Sequence, residues 1–316
     1  MLVGPDLPAA RVVEPSPQQW ALRAIAILLF AATTQTATTW PFAPRHGRSR
    51  TLSQARLGVS VGGAMLTPSI PLTVTKGGPM PGERSESDLT SVGFDSAWCA
   101  TDLGEYRTCR YTYEYYPYES LPPLDSTQFT GAFQWLGGTG EPVPEQVTEL
   151  DRLAEDLAAR NLTLPRDFVT FQADSKLRHS LDEVSVTSCW TDISEPLPSP
   201  VEPGAFLVRF LRDQQDCVIW YLYLRPSGEV FVVSSYLDYE YAYEAQRAGD
   251  ETETNLDDPE EQQAAILWCA PSFEEFTHRF WIENRLWHAL HGNDQSGLEP
   301  QLRDYLRHYT PEGMPA

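Results

Sequence analysis

Cysteine is sparse in this chain, and none of it is spaced for chemistry. Cys99, Cys109, Cys189, Cys217 and Cys269 include no C-x-x-C pair, and their number is odd. That argues against a zinc ribbon and against a complete disulfide framework. Cys217 and Cys269 fall in apolar runs, where a free thiol behaves as a small hydrophobe. A reducing cytoplasm suits this usage, although Cys99 and Cys109 could pair elsewhere. Nucleotide signatures are missing too: there is no Walker loop or Rossmann fingerprint, and no helix opens after Gly137-Gly-Thr-Gly140 to receive a phosphate. His278, His288 and His291 do not form H-E-x-x-H, since Arg279 and Ala289 follow the first two. One nucleophile-elbow pattern, Gly58-Val-Ser-Val-Gly62, lacks the flanking strand and helix that an elbow needs. The carboxylates gather without a companion set of bases or metal ligands. No catalytic residue, metal site or cofactor is therefore expected, and the chain reads as a non-enzyme.

Long hydrophobic runs are also lacking. The longest, Ala24–Ala32, is nine residues followed by polar threonines, whereas a spanning helix needs about 20. As a secretion signal it lies far from Met1 and has a weak positive flank. The expectation is a cytoplasmic protein, secreted or anchored only if that run is a real signal; a membrane partner is not expected. Under export, Asn161-Leu-Thr163 would be a glycosylation sequon in a suitable host.

Charge is plentiful but one-sided. The net charge is −21, yet residues 1–90 hold eight basic and five acidic side chains, against 15 and 39 in the remainder. Such a field repels phosphate backbones, which argues against a nucleic-acid partner, and favours a basic protein surface. Acidity of this kind also serves solubility. Residues 1–90, rich in Pro, Gly and Ser and without periodicity, read as a disordered extension.

The clearest element is Pro271–His291. Ser272-x-x-Glu275 has the capping-box pattern, and Glu274 and Glu275 suit the positive end of a helix. Phe273, Phe276, Phe280 and Trp287 recur on one face, which Gly292 ends. With Trp220 from an apolar strand, these aromatics are the predicted core. Pro144–Arg160 reads as an amphipathic helix, and Phe168 and Phe171 begin a short one. Val184–Trp190, Ala205–Arg212, Cys217–Leu224, Glu229–Tyr236 and Ala264–Ala270 read as strands, as does Arg110–Tyr115 with its alternating tyrosines. Asp238–Glu261 is a polar stretch with ten acids and one Arg, read as a loop that either meets solvent or faces a partner. The fold expected is α+β, helices packed against a largely antiparallel sheet of about five to six strands. It divides as an extension over 1–90, an aromatic-rich arm and linker over 91–143, and a domain over 144–316.

Leu164-Pro-Arg-Asp-Phe168 after a helix, the strand pair around Trp220 and Tyr223, Ile266-Leu-Trp-Cys-Ala270 running into Ser272-Phe-Glu-Glu-Phe276, and Trp281-Ile-Glu-Asn-Arg-Leu-Trp287 occur in that order. Together they resemble the SMI1/KNR4 family, or SUKH superfamily, over about half of the chain. Gln172-Ala-Asp-Ser175 stands where that family usually has a Gly-rich turn. The resemblance implies a protein-interaction module, most often an immunity protein that neutralises a toxin domain, here a basic one. A regulatory or scaffold protein of cell-wall or signalling type is the alternative, and an uncharacterised hydrolase a further one. The candidate partner-binding residues are Asp238, Tyr239, Glu240, Tyr241, Tyr243 and Glu244, where carboxylates alternate with tyrosines.

Overall fold

The computed structural model describes residues 93–250, 254–292 and 298–310. The described chain enters as a two-stranded ribbon, β1 (Ala97–Ala100) and β2 (Glu114–Pro117). Three helices follow, α1 (Pro144–Ala158), α2 (Arg166–Ala173) and α3 (Ser180–Val184). Next come β3 (Trp190–Thr191), β4 (Leu197–Pro198), β5 (Phe206–Arg212), β6 (Ile219–Leu224) and β7 (Val230–Ser235). The chain closes with α4 (Tyr239–Ala248), α5 (Pro259–Ala265), β8 (Ile266–Ala270), α6 (Phe273–His291) and α7 (Pro300–Arg307). Six strands make one antiparallel sheet in the order β3-β5-β6-β7-β8, with β4 also on β5. The α+β architecture read from the apolar periodicities is thus the one observed. The expectations placed on residues 1–90, Ala24–Ala32 and Gly58–Gly62 among them, lie outside the described residues. No helix among the described residues is long and apolar enough to cross a membrane.

Every residue of β6 is buried, because helices and loops cover both faces of the sheet. Val208, Phe210, Trp220 and Leu222 point to a layer made by α1, α2 and α6, where Phe273 and Phe276 sit against Phe168 and Phe210. Leu207, Tyr221, Tyr223 and Val233 point the other way, toward Tyr239 of α4. A strand buried on both faces reads as a continuous apolar run instead of an alternation, and Ile219-Trp-Tyr-Leu-Tyr-Leu224 is such a run. The sheet's two edges are both occupied. Along β8, Trp268 donates its backbone N–H to Asp95 O, and Ser96 bridges to Trp268. Along β5 lies the stretch through β3 and β4, with Pro196, Pro198 and Pro200.

Helix α6 starts as its sequence predicts: Ser272 Oγ accepts the Glu275 N–H at 3.2 Å. Gly292 caps it at a point where a side chain would not fit, since a Cβ there would stand 2.6 Å from His288 O. Trp220, Phe273, Phe276 and Phe280 are core residues. Trp287 is not. It is only partly buried, stacked on His291 at 4.7 Å between ring centroids, because the sheet ends before the last helical turns.

Between α6, β1 and α7 lies a buried polar knot centred on Glu283, which is fully buried. It accepts two hydrogen bonds from Arg107, at 2.8 and 2.6 Å, one from Trp98 Nε1 at 2.9 Å and one from Tyr305 OH at 2.7 Å. Burial alone would push the Glu283 carboxyl up; Arg107, with these donors, more than offsets that and holds it below the usual carboxylate range. The aromatic-rich segment thereby belongs to the core: Trp98 and Phe133 are buried, and the described residues make one compact unit. Of Arg110–Tyr115 only Glu114 and Tyr115 belong to a strand, the start of β2, so that stretch is extended only at its end.

Two other stretches differ from expectation. Val184–Trp190 contributes only Trp190 to a strand, because side chains take its backbone donors: Asn284 Oδ1 accepts from Val186 N, and Ser185 Oγ from Cys189 N. The described residues of Asp238–Glu261 are not all loop. They contain α4 and the start of α5, capped by Asp238 and Asp258, each of which accepts two backbone N–H groups. Within Gln172–Ser175, Asp174 gathers the N–H groups of Gly140, Lys176 and Leu177 at 2.5, 2.8 and 3.0 Å.

Candidate binding surface

The acids and tyrosines singled out from sequence sit at one end of the sheet, on and around the first turn of α4. Two arginines of β5 organise that end. A regular strand would send Arg209 and Arg212 to opposite faces. Here the β5–β6 register runs from the pair Arg209–Tyr221 to the pair Leu211–Trp220, skipping Phe210. The bulge turns Phe210 and Leu211 together toward the α6 core and leaves both arginines on the α4 side; re-aiming a side chain is a common use of bulges.

Arg209 is almost fully buried and meets Asp238 at 3.1 Å, Glu240 at 2.6 Å and Asp192 at 3.0 Å. Arg212 meets Asp216 at 2.5 Å and Asp192 at 3.2 Å, with Asp238 at 3.5 Å. Its guanidinium also lies 5.2 Å from the Trp190 ring centroid, within cation–π range. Burial alone would lower both guanidinium pKa values, and the surrounding carboxylates raise them instead. Four carboxylates face two guanidinium groups here, so the cluster keeps an excess of negative charge. It fixes the start of α4, whose N–H groups of Glu240 and Tyr241 end on Asp238 at 3.1 and 3.2 Å.

The six candidate residues therefore divide. Tyr239 is fully buried against Tyr221 and cannot touch a partner. Asp238 and Glu240 are committed to Arg209. Tyr243 is partly buried and donates its hydroxyl to Pro198 O at 2.9 Å. Tyr241, 66% exposed, and the exposed Glu244 stand one turn apart on the outer face of α4. Trp190 and Tyr236, at 37% and 45%, are the other large exposed aromatics at this end of the sheet. Comparison of the chain with family models, with curated proteins and with solved structures found no match. What this surface can do follows from its own chemistry.

Trp190, Asp192, Arg209, Arg212, Asp216 and Tyr236 were not among the sequence candidates. A signal existed: Arg209 interrupts the apolar run Phe206–Leu211, and its three-residue spacing to Arg212 suits a bulge better than a regular strand. The histidines do not converge. His288 Nε2 lies 3.1 Å from Val184 O, His291 faces Asp102, and His278 is buried. Among the described residues no group of three His, Cys, Asp or Glu is placed to hold a metal ion.

Replacing Arg209 by Ala is expected to lower unfolding free energy by about 1–3 kcal/mol, below a fully buried pair because its carboxylate partners are partly solvated. Denaturant melts measure it. A neutral result would mean that the cluster does not hold α4.

Proposed function

We propose that this chain is a non-enzymatic protein-binding module, of the immunity type that the resemblance to SMI1/KNR4 proteins implies, and that it captures a basic toxin domain. The observation that carries the reading is the pairing of Tyr241 with Glu244 on the outer face of α4, beside the carboxylate-rich cluster and the exposed Trp190 and Tyr236. Exposed aromatics next to acids are apt for a basic surface: carboxylates steer encounter, and rings anchor the contact once formed. The charge of the chain outside residues 1–90 supports the same reading, with 39 acidic against 15 basic side chains.

The test pairs the purified protein with the basic domain encoded next to its gene and follows association and dissociation at two salt concentrations. Tyr241→Ala is expected to raise the off-rate roughly tenfold. Glu244→Gln should slow association by about two- to threefold, an effect that shrinks as salt screens exposed charges beyond about 8 Å. Because both side chains are exposed, melting should move by no more than about 0.5 kcal/mol in either variant. Wild-type rates in both variants at low salt would remove α4 from the interface and direct attention to Tyr111–Tyr118.

A further inference from the structure

The segment 126–137 is strapped onto α6 by a single carboxylate. Glu274, almost fully buried, accepts the backbone N–H groups of Gly131 at 2.5 Å and Phe133 at 2.9 Å, and Trp135 Nε1 at 3.2 Å. Phe133 adopts a left-handed backbone, φ 49°, to bring its N–H there. One helical turn further on, His278 fills the space beneath the strap. It is 5% exposed, and it meets the Phe129 ring at 5.2 Å and the Trp135 ring at 4.8 Å, both edge to face. Its Nδ1 is buried without a hydrogen-bond partner.

A neutral imidazole has one N–H donor and one acceptor nitrogen, whereas an imidazolium has two N–H groups and a charge to satisfy. The strap offers no counter-charge, since residues 126–140 contain no titratable side chain. Charged groups border the strap from other elements: Asp167 of α2 accepts the Glu274 backbone N–H at 2.9 Å, and Lys176 donates to Gly137 O at 2.7 Å. Helix α6 itself carries Glu274, Glu275 and Arg279 around His278. Glu274 is occupied by the strap itself, Glu275 is partly buried, and Arg279 repels a second positive charge.

We propose that residues 126–137 form an acid-released clasp, closed while His278 is neutral and opened when it takes a proton. Burial first, and Arg279 second, push the His278 imidazole down to about 4. A group whose folded pKa lies below its unfolded value, near 6.5 for His, costs nothing above that unfolded value. As pH falls from about 6.5 toward 4, the open state binds the proton more tightly, and the clasp loses stability across that window. Opening uncovers Trp135 and the neighbouring Trp281, 5.9 Å away ring to ring.

Hydrogen exchange on the full chain tests this, with rates corrected for the intrinsic effect of pH. Protection of the Gly131 and Phe133 amides is expected to fall roughly tenfold between pH 7 and pH 5, while amides of β6 keep theirs. In His278→Phe, which cannot titrate, the loss should vanish. His278→Gln supplies the same comparison should the Phe variant fail to fold. Unchanged clasp protection at pH 5 in the wild type would overturn the proposal. So would an equal loss in the non-titrating variant, or a simultaneous loss in β6, which would mark acid unfolding of the whole body.

Discussion

Glu283→Ala is expected to be among the most damaging single changes in the chain, lowering unfolding free energy by about 3–5 kcal/mol. The loss comes from what remains. Arg107, 6% exposed, would keep its charge with no carboxylate beside it, and Trp98 Nε1 and Tyr305 OH would each lose an acceptor. Arg107 Nε already lacks a partner, and the guanidinium would keep only the neutral acceptors Tyr309 OH and Thr101 O. Replacing both ends, Glu283→Leu with Arg107→Met, should cost clearly less than the sum of the two single changes, because no buried charge is then left unpaired. Chemical denaturation of the four proteins gives the cycle. Additive losses would mean that the pair is not coupled. The sign with pH also follows. A carboxyl held below its unfolded pKa stabilises the fold fully above that value and progressively less as pH falls through its folded one.

Phe276→Ala should cost about 3–5 kcal/mol. Its ring is fully buried and packs on Trp98, Phe210, Trp220 and Phe280, with centroids 5.6, 5.3, 6.0 and 5.8 Å away. It thus joins the ribbon, the sheet and its own helix, and no one of these can collapse into the space it leaves. Trp287→Ala, at first sight the equivalent change, should cost no more than about 1–2 kcal/mol, because its indole is partly in water. Parallel melts of the two variants decide the matter. Equal losses would mean that the end of α6 is as deeply packed as its beginning.

The contrast between those two aromatics shows what the sequence can disclose. Spacing along a helix gives its apolar face, and Phe273, Phe276 and Phe280 were readable from it together with the Ser272 cap. Where the opposing sheet stops is set by other parts of the chain, so Trp287 looked no different from Phe276. The β6–β7 hairpin was legible because its two apolar runs are separated by a short Pro-Ser-Gly turn. Helix α4 was obscured by composition. Its acids suggested a loop, although the Asp238 cap and the spacing of Tyr239, Ala242 and Ala245 are those of a helix. The surface was least legible. Asp192, Arg209 and Asp238 are 46 residues apart from first to last, and pairing at that range leaves no local period. The choice of Asp238 and Glu240 as partner-facing acids rested on their charge, and the structure places that charge largely on Arg209.

The proline-lined edge has a consequence for concentrated solution. An exposed sheet edge is a template on which another chain can add a strand, the first step of domain exchange and fibrous aggregation. Along β5 the outer stretch has lost three backbone donors to Pro196, Pro198 and Pro200, and the Thr191 N–H is already given to Asp182. A sheet of unbroken apolar strands would be hazardous in an open ladder. Here the three prolines leave the outer stretch without those donors, which weakens it as a template for a further strand beside so hydrophobic a sheet.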